Sequence, residues 1–319
     1  MARNHFLNLY VIRVALNAHR AFIPFEMVID RAGQAKDFYD VAREFLNNIS
    51  TFHQDDEDET VIEAATANVD YLRTQRKIKG FLSAGSYGYE GKMINTANGV
   101  KSPIPAEHAP AFDHYFELFL PPGGERGVLA LHAIGNRGCK TMFHNAFKDF
   151  LVAQYPHLKI DIRPLKLDFQ EDAERFHNHF RVEKIKRRAY VPRRVEDRNA
   201  GGGRVEEQII VETEVRIGRS IHNPLINFDN LIQAEDPSVP VARLFRRYVD
   251  GREIENSTFD VTIDMDGQKK TVRMGQEIKF DMSFDISADV NRDMRRRFSL
   301  AGMARIVNQY IEHAIGQVV

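Results

Sequence analysis

The chain reads as an α+β protein with a mixed sheet, and three observations carry that reading. A run apolar on both faces, Val128 to Ile134, is followed by glycines, by an amphipathic stretch from Met142 to Leu151, and by alternation from Leu158 to Ile162. That is a strand, a helix and a strand. A later alternation of Phe259, Val261, Ile263 and Met265 turns at Asp266-Gly267 into Val272 and Met274, the signature of a hairpin. The chain then closes on an amphipathic helix from about residue 289 to 316, with Met303, Ile306, Val307, Tyr310, Ile311 and Ala314 on one face.

Taken in order, residues 5–17 (HFLNLYVIRVALN) form an opening strand, because Tyr, Val and Ile favour a pleated surface. From about Asp30 to Phe52, Phe38, Val41, Phe45, Leu46 and Ile49 recur at helical spacing. The acidic run HQDDEDE at 53–59 is a solvated loop, since adjacent carboxylates repel. Residues 78–99 give two strands broken by glycines, a proline-rich link follows, and 113–122 is another strand. In the central unit Gly135 and Gly138 end the first strand, and Pro164 stops the second. His144, Asn145, Lys148 and Asp149 fall on the wet side of its helix. Beyond it come a short polar helix or turn near 168–181, a basic strand at 182–192, a flexible GGG loop, a strand at 208–217 and a short basic helix at 241–251. The hairpin at 259–274, a strand at 277–287 and the last helix complete the chain. Two regions are expected, 1–168 around the strand–helix–strand unit and 169–319 with the basic strand, hairpin and C-terminal helix.

With 319 residues, 43% of them hydrophobic, the chain can bury a good core. A formal net charge of -1 excludes a whole-molecule basic field, so any polyanion must be held by segregated charge. One cysteine excludes an internal disulfide framework and fits a reducing compartment. No apolar run reaches the length of a membrane-spanning helix, and the cytoplasm is the expected location.

None of the short motifs assembles a catalytic site. In GNRGCKT (135–141) the glycine–lysine spacing is wrong for a phosphate-binding loop. It reads as a strand-to-helix turn in which Arg137 or Lys140 touches a phosphate. Cys139 lacks a matched base and reads as an inert or weakly reactive thiol. His177 and His179 are two apart, so on a helix they point away from each other. Asp264 and Asp266 resemble a metal-binding pair, but the second is explained by its turn with Gly267. Glu183 is followed directly by Lys184, one position short of a nuclease E-x-K pattern. No metal and no cofactor is expected.

The basic clusters carry the functional reading. Lys184, Lys186 and Arg188 share one face of a strand, a row of cations suited to a phosphate backbone, with Arg187, Arg193 and Arg194 beside them. Arg243, Arg246 and Arg247 gather on one side of a helix. Arg295, Arg296 and Arg297, with Arg292, crowd the start of the last helix, where positive charge opposes the macrodipole. Ordinary solvated faces and salt bridges are the competing explanation of each cluster.

The order of elements resembles that of the RexA-like phage-exclusion proteins. The residues that carry the resemblance are Leu16-Asn17 ending an early strand, the glycine-bearing FLSAGSYGYEGK, His132-Ala133-Ile134-Gly135 closing a strand, and, after an amphipathic helix, Ile160, Ile162, Arg163 and Pro164. The 40–130 insertions and the GGG loop depart from the family. What the resemblance implies is a homodimeric, sequence-nonspecific DNA-binding sensor or effector of phage exclusion or abortive infection, acting through a membrane-protein partner and not as an enzyme. The alternatives are a metal-dependent nuclease of a defence system and a protein-interaction subunit without DNA binding.

Overall fold

The computed structural model describes residues 4–16, 21–30, 32–168, 180–196, 204–216, 257–266, 268–273, 279–291 and 299–318. Its strands are β1 (His5–Leu16), β2 (Val28–Ile29), β3 (Ala35–Lys36), β4 (His53–Asp55), β5 (Thr60–Glu63), β6 (Val69–Leu72), β7 (Lys77–Ser86), β8 (Gly91–Ile94), β9 (Lys101–Ile104), β10 (Ala111–Phe119), β11 (Gly127–Ile134), β12 (Leu158–Pro164), β13 (Lys166–Asp168), β14 (Phe180–Glu196), β15 (Arg204–Arg216), β16 (Ser257–Met265), β17 (Gln268–Arg273), β18 (Lys279–Asp281) and β19 (Ser283–Asp285). The helices are α1 (Phe38–Asn48), α2 (Lys140–Gln154), α3 (Ser287–Asn291) and α4 (Leu300–Val318). The class is α+β.

The chain forms two compact units, Met1–Leu165 with Asp281–Val319, and Lys166–Phe280. The first boundary lies near the expected one. The last 39 residues, assigned from sequence to the second region, instead belong to the first unit. The cause is local. β19 pairs with β1 through Phe6, Leu7 and Asn8, and α4 packs against β1, β7, β10 and β11.

In the first unit the sheet runs β12-β1-β11-β10-β7-β5-β4, with β19 added to β1 and β6 to β7. β11 and β12 are both antiparallel to β1, which lies between them. The strand–helix–strand unit therefore spans an intervening strand, and in place of the expected mixed sheet every described ladder of this sheet is antiparallel. β11 is buried on both faces, as its unbroken apolar run requires. On one side Leu129 and Leu131 meet α1 and α2, whose Phe45 and Phe147 stack at 4.1 Å between ring centroids. The alternating residues Val128 and Ala130 are equally buried on the side that meets α4. All six residues of the expected apolar face of α4 are buried, and Phe284 meets Tyr310 at 4.6 Å.

Two helices differ from expectation. α1 is confined to Phe38–Asn48, because the Asp30 carboxylate accepts from the Ala32 and Gln34 amides in a turn, and Asp37 caps the helix by accepting from the Tyr39 amide. The closing helix is described in two pieces, α3 and α4, of which α3 is held by the Asp285 carboxylate accepting from the Ser287 amide. The acidic run is the tight connection of a β4–β5 hairpin. Its Asp55 accepts from the Glu57 and Asp58 amides, and Asn145 of α2 donates to Asp55 and Asp58.

The second unit is built on a four-stranded antiparallel sheet, β15-β14-β16-β17. The hairpin read from Phe259 to Met274 is β16–β17, and Asp266 holds the positive φ of 48° that its turn requires.

Candidate nucleic-acid interface

β14 is the strand that carries the expected row of cations, and its neighbours decide what those cations do. It pairs with β16 over Phe180–Ala189, with a bulge between Val182 and Lys184, and with β15 over Lys184–Glu196. From Tyr190 to Glu196 its only ladder among the described residues is with Arg204–Ile210. Among the described residues a two-stranded ribbon thus runs on past β16. At ~3.3 Å per residue its seven pairs reach roughly 23 Å.

The register sets cations against carboxylates. Lys186 lies opposite Glu214, Arg188 opposite Glu212, Arg193 opposite Glu207 and Arg194 opposite Glu206. Where side chains are described, the ion pairs are formed: Lys184 with Glu214 at 3.4 Å, Lys186 with Glu212 at 2.6 Å, and Arg188 with Glu212 at 3.0 Å and Asp260 at 3.3 Å. Lys269 of β17 reaches across β16 to Glu183 of β14 at 2.5 Å. Lys186 first, then Arg188, holds the Glu212 carboxyl below the ordinary carboxylate range. The expectation that Lys184, Lys186 and Arg188 share a face is met, but they are not a ridge of unpaired cations. The physical reason is the acidic composition of β15, whose Glu206, Glu207, Glu212 and Glu214 sequence reading left unpaired with the row.

The other expected contacts separate. Arg137 belongs to the first unit, in the turn after β11, where its guanidinium lies 4.8 Å from the centre of the Phe112 ring and its amide donates to the Ile134 carbonyl. Lys140 opens α2 in the same unit. The side chains of Arg187, Arg193 and Arg194, and all of Arg243, Arg246, Arg247, Arg295, Arg296 and Arg297, lie outside the described residues, as do Arg292, His177, His179 and the GGG loop. Cys139 is fully buried and its thiol is pushed up to about 12 by that burial, which suits the reading of an unreactive thiol.

Sequence reading missed two buried polar groups in the first unit. His5 and His132 stack with their Nδ1 and Nε2 atoms 3.0 Å apart, and His114 Nδ1 lies 3.0 Å from the His132 carbonyl. Burial, then the His5 and His114 rings, holds the His132 imidazole down to about 3. All three are at most 2% exposed, so the cluster is sealed from any substrate. Close by in sequence, buried Tyr115 donates to Glu117 at 2.8 Å, and Lys77 meets the same carboxylate at 3.0 Å. A carboxylate taken out of water needs such partners. Among the described residues no group of three His, Cys, Asp or Glu is placed to hold a metal, and no helix is long and apolar enough to cross a membrane.

Comparison with protein-family models, with curated proteins and with solved structures finds no match to this chain.

Proposed function

We propose that this chain is a nucleic-acid-binding protein that holds a phosphate backbone without reading sequence, and that the β14–β15 ribbon is its contact element. One observation carries the reading. Seven of the 17 residues of β14 are Lys or Arg, namely Arg181, Lys184, Lys186, Arg187, Arg188, Arg193 and Arg194, and among the described residues the strand continues with β15 alone past β16. A two-stranded ribbon is one of the shapes that the DNA major groove, ~12 Å wide, admits. The ion pairs along it are partly exposed, and such pairs contribute only about 0–1 kcal/mol each, so a phosphate can compete for the cations. The carboxylates stay nearby and weaken the grip. Affinity is therefore modest and strongly salt-dependent. Phage exclusion, a homodimeric state and a membrane-protein partner belong to the proposal through the resemblance carried by residues 132–164.

A second reading has its own observation. Each of Lys186, Arg188, Arg193 and Arg194 faces a glutamate in register, a balance that suits a charge-matched protein partner or internal stapling of the ribbon better than a polyanion.

The test is a gel shift of duplex DNA at low salt, with magnesium and manganese lanes as a cleavage control. Shifted and uncut DNA is expected. Absence of a shift gives the ribbon to the second reading, and cut DNA makes the protein a nuclease.

A further inference from the structure

In the first unit, β8 and β9 pair only with each other among the described residues, in a hairpin that carries its apolar side chains outward. Tyr89 is 75% exposed, Met93 62%, Ile94 53% and Val100 57%. Met93 and Ile94 are consecutive in β8, so they point to opposite faces of the ribbon, and Val100 adds to them at the turn. A flat protein surface would cover one of those faces. A medium that surrounds the tip covers both.

Two further properties narrow that medium. Residues 91–104 contain Lys92 and Lys101 and no Asp or Glu, so the tip is cationic and complements an anionic surface. Four amides of the turn are also paired. The Asn95 amide donates to the Val100 carbonyl at 2.8 Å and the Gly99 amide to the Asn95 carbonyl at 2.7 Å. The Asn95 and Asn98 side chains accept from the Ala97 and Val100 amides at 2.9 and 3.1 Å. Polar backbone that is already paired is the condition for entering a medium of low dielectric constant cheaply.

We propose that this hairpin is a shallow anchor on anionic bilayers, placing Met93, Ile94 and Val100 at the boundary of headgroups and acyl chains, with Lys92 and Lys101 at the lipid phosphates. Lysine suits this role because its stem lies along apolar surface while its ammonium stays wet. Tyr89, at the base of the hairpin, takes the interfacial position that amphipathic rings favour. Nucleic acid is the less suited occupant, because two cations neutralise too few phosphates to offset the unstacking that an apolar wedge demands.

The chain contains no tryptophan, so Ile94→Trp in the full-length protein is a single reporter at the tip. Vesicles of equal parts phosphatidylglycerol and phosphatidylcholine should move its emission to shorter wavelength, and vesicles of phosphatidylcholine alone should do so much less. A Val152→Trp reporter, on the exposed side of α2, should not move. Because Met93 and Val100 are mostly exposed, Met93→Ser with Val100→Ser should leave folding intact and lower co-sedimentation with the mixed vesicles at least about tenfold. Lys92→Glu with Lys101→Glu should remove the preference for phosphatidylglycerol. An unmoved Ile94→Trp spectrum overturns the proposal. So does a blue shift produced by duplex DNA and not by vesicles, or by raising the protein concentration alone, which would identify a nucleic-acid wedge or a second copy of the chain as the occupant.

Discussion

Glu212 is the residue on which the ribbon's affinity turns, since it accepts from both Lys186 and Arg188. Glu212→Gln keeps its size and removes its charge, releasing Lys186 from that carboxylate and leaving Arg188 only its contact with Asp260 among the described pairs. Filter binding at low salt should show DNA affinity rising by a few-fold at most, because a solvent-screened pair competes only weakly with the phosphate. A fall in affinity would mean that the pair positions the strand and does not compete with the ligand. At the opposite extreme of burial, His132 links folding to pH. Its imidazole titrates near 3 in the fold and near ~6.5 in the unfolded chain, so the unfolded state gains the proton first as pH drops. The penalty is absent above about pH 6.5 and grows toward pH 3, with a limiting slope of ~1.4 kcal/mol per pH unit. His114, also held down by burial, acts in the same direction. Urea midpoints measured across this window should fall less steeply in His132→Gln than in the parent chain; parallel curves would show that the imidazole is not responsible. None of this was legible beforehand, because His5 and His132 are 127 residues apart and meet only through the β1–β11 register.

The elements were more legible than the contacts between them. The strand–helix–strand unit declared itself through periods of two and 3.6, and the burial of Phe143, Ala146, Phe147, Phe150 and Leu151 is what that pattern demanded. The face of α4 was likewise read correctly, yet its place was not, since nothing in Met303 to Ala314 says which side of which sheet it will cover. The cations of β14 were placed on their proper face, but their partners on β15 lie across the GGG loop, and only the pairing register brings Glu212 and Glu214 to them. The α1–α2 layer gives the clearest stability test. Phe147 contacts Phe38, Phe45, Phe143 and Phe150, and Phe147→Ala should cost about 3–5 kcal/mol in denaturant unfolding while leaving the ribbon of the second unit untouched. A loss under about 1 kcal/mol would mean that the layer refills the space.

At the scale of the whole molecule, near-neutral charge is the sum of strongly charged strands and not of uncharged ones. β14 has seven cations and two carboxylates, and β15 has two cations and four carboxylates. The chain leaves the first unit after Leu165 and returns at Asp281, so the charged sheet is an insertion in a fold whose own sheet is completed by β19 and α4. That division separates stability, which rests on the large sheet and its two helical layers, from the proposed binding, which rests on the inserted ribbon. The most direct test is the salt dependence of duplex DNA binding, compared between the parent chain and Arg193→Glu with Arg194→Glu, on the part of the ribbon beyond β16. Each phosphate contact contributes ~0.9 to the slope of log affinity against log salt. The double variant should bind more weakly and with a slope smaller by about 1–2. An identical slope, or no binding by the parent chain even at the lowest salt, would contradict the ribbon as a nucleic-acid interface.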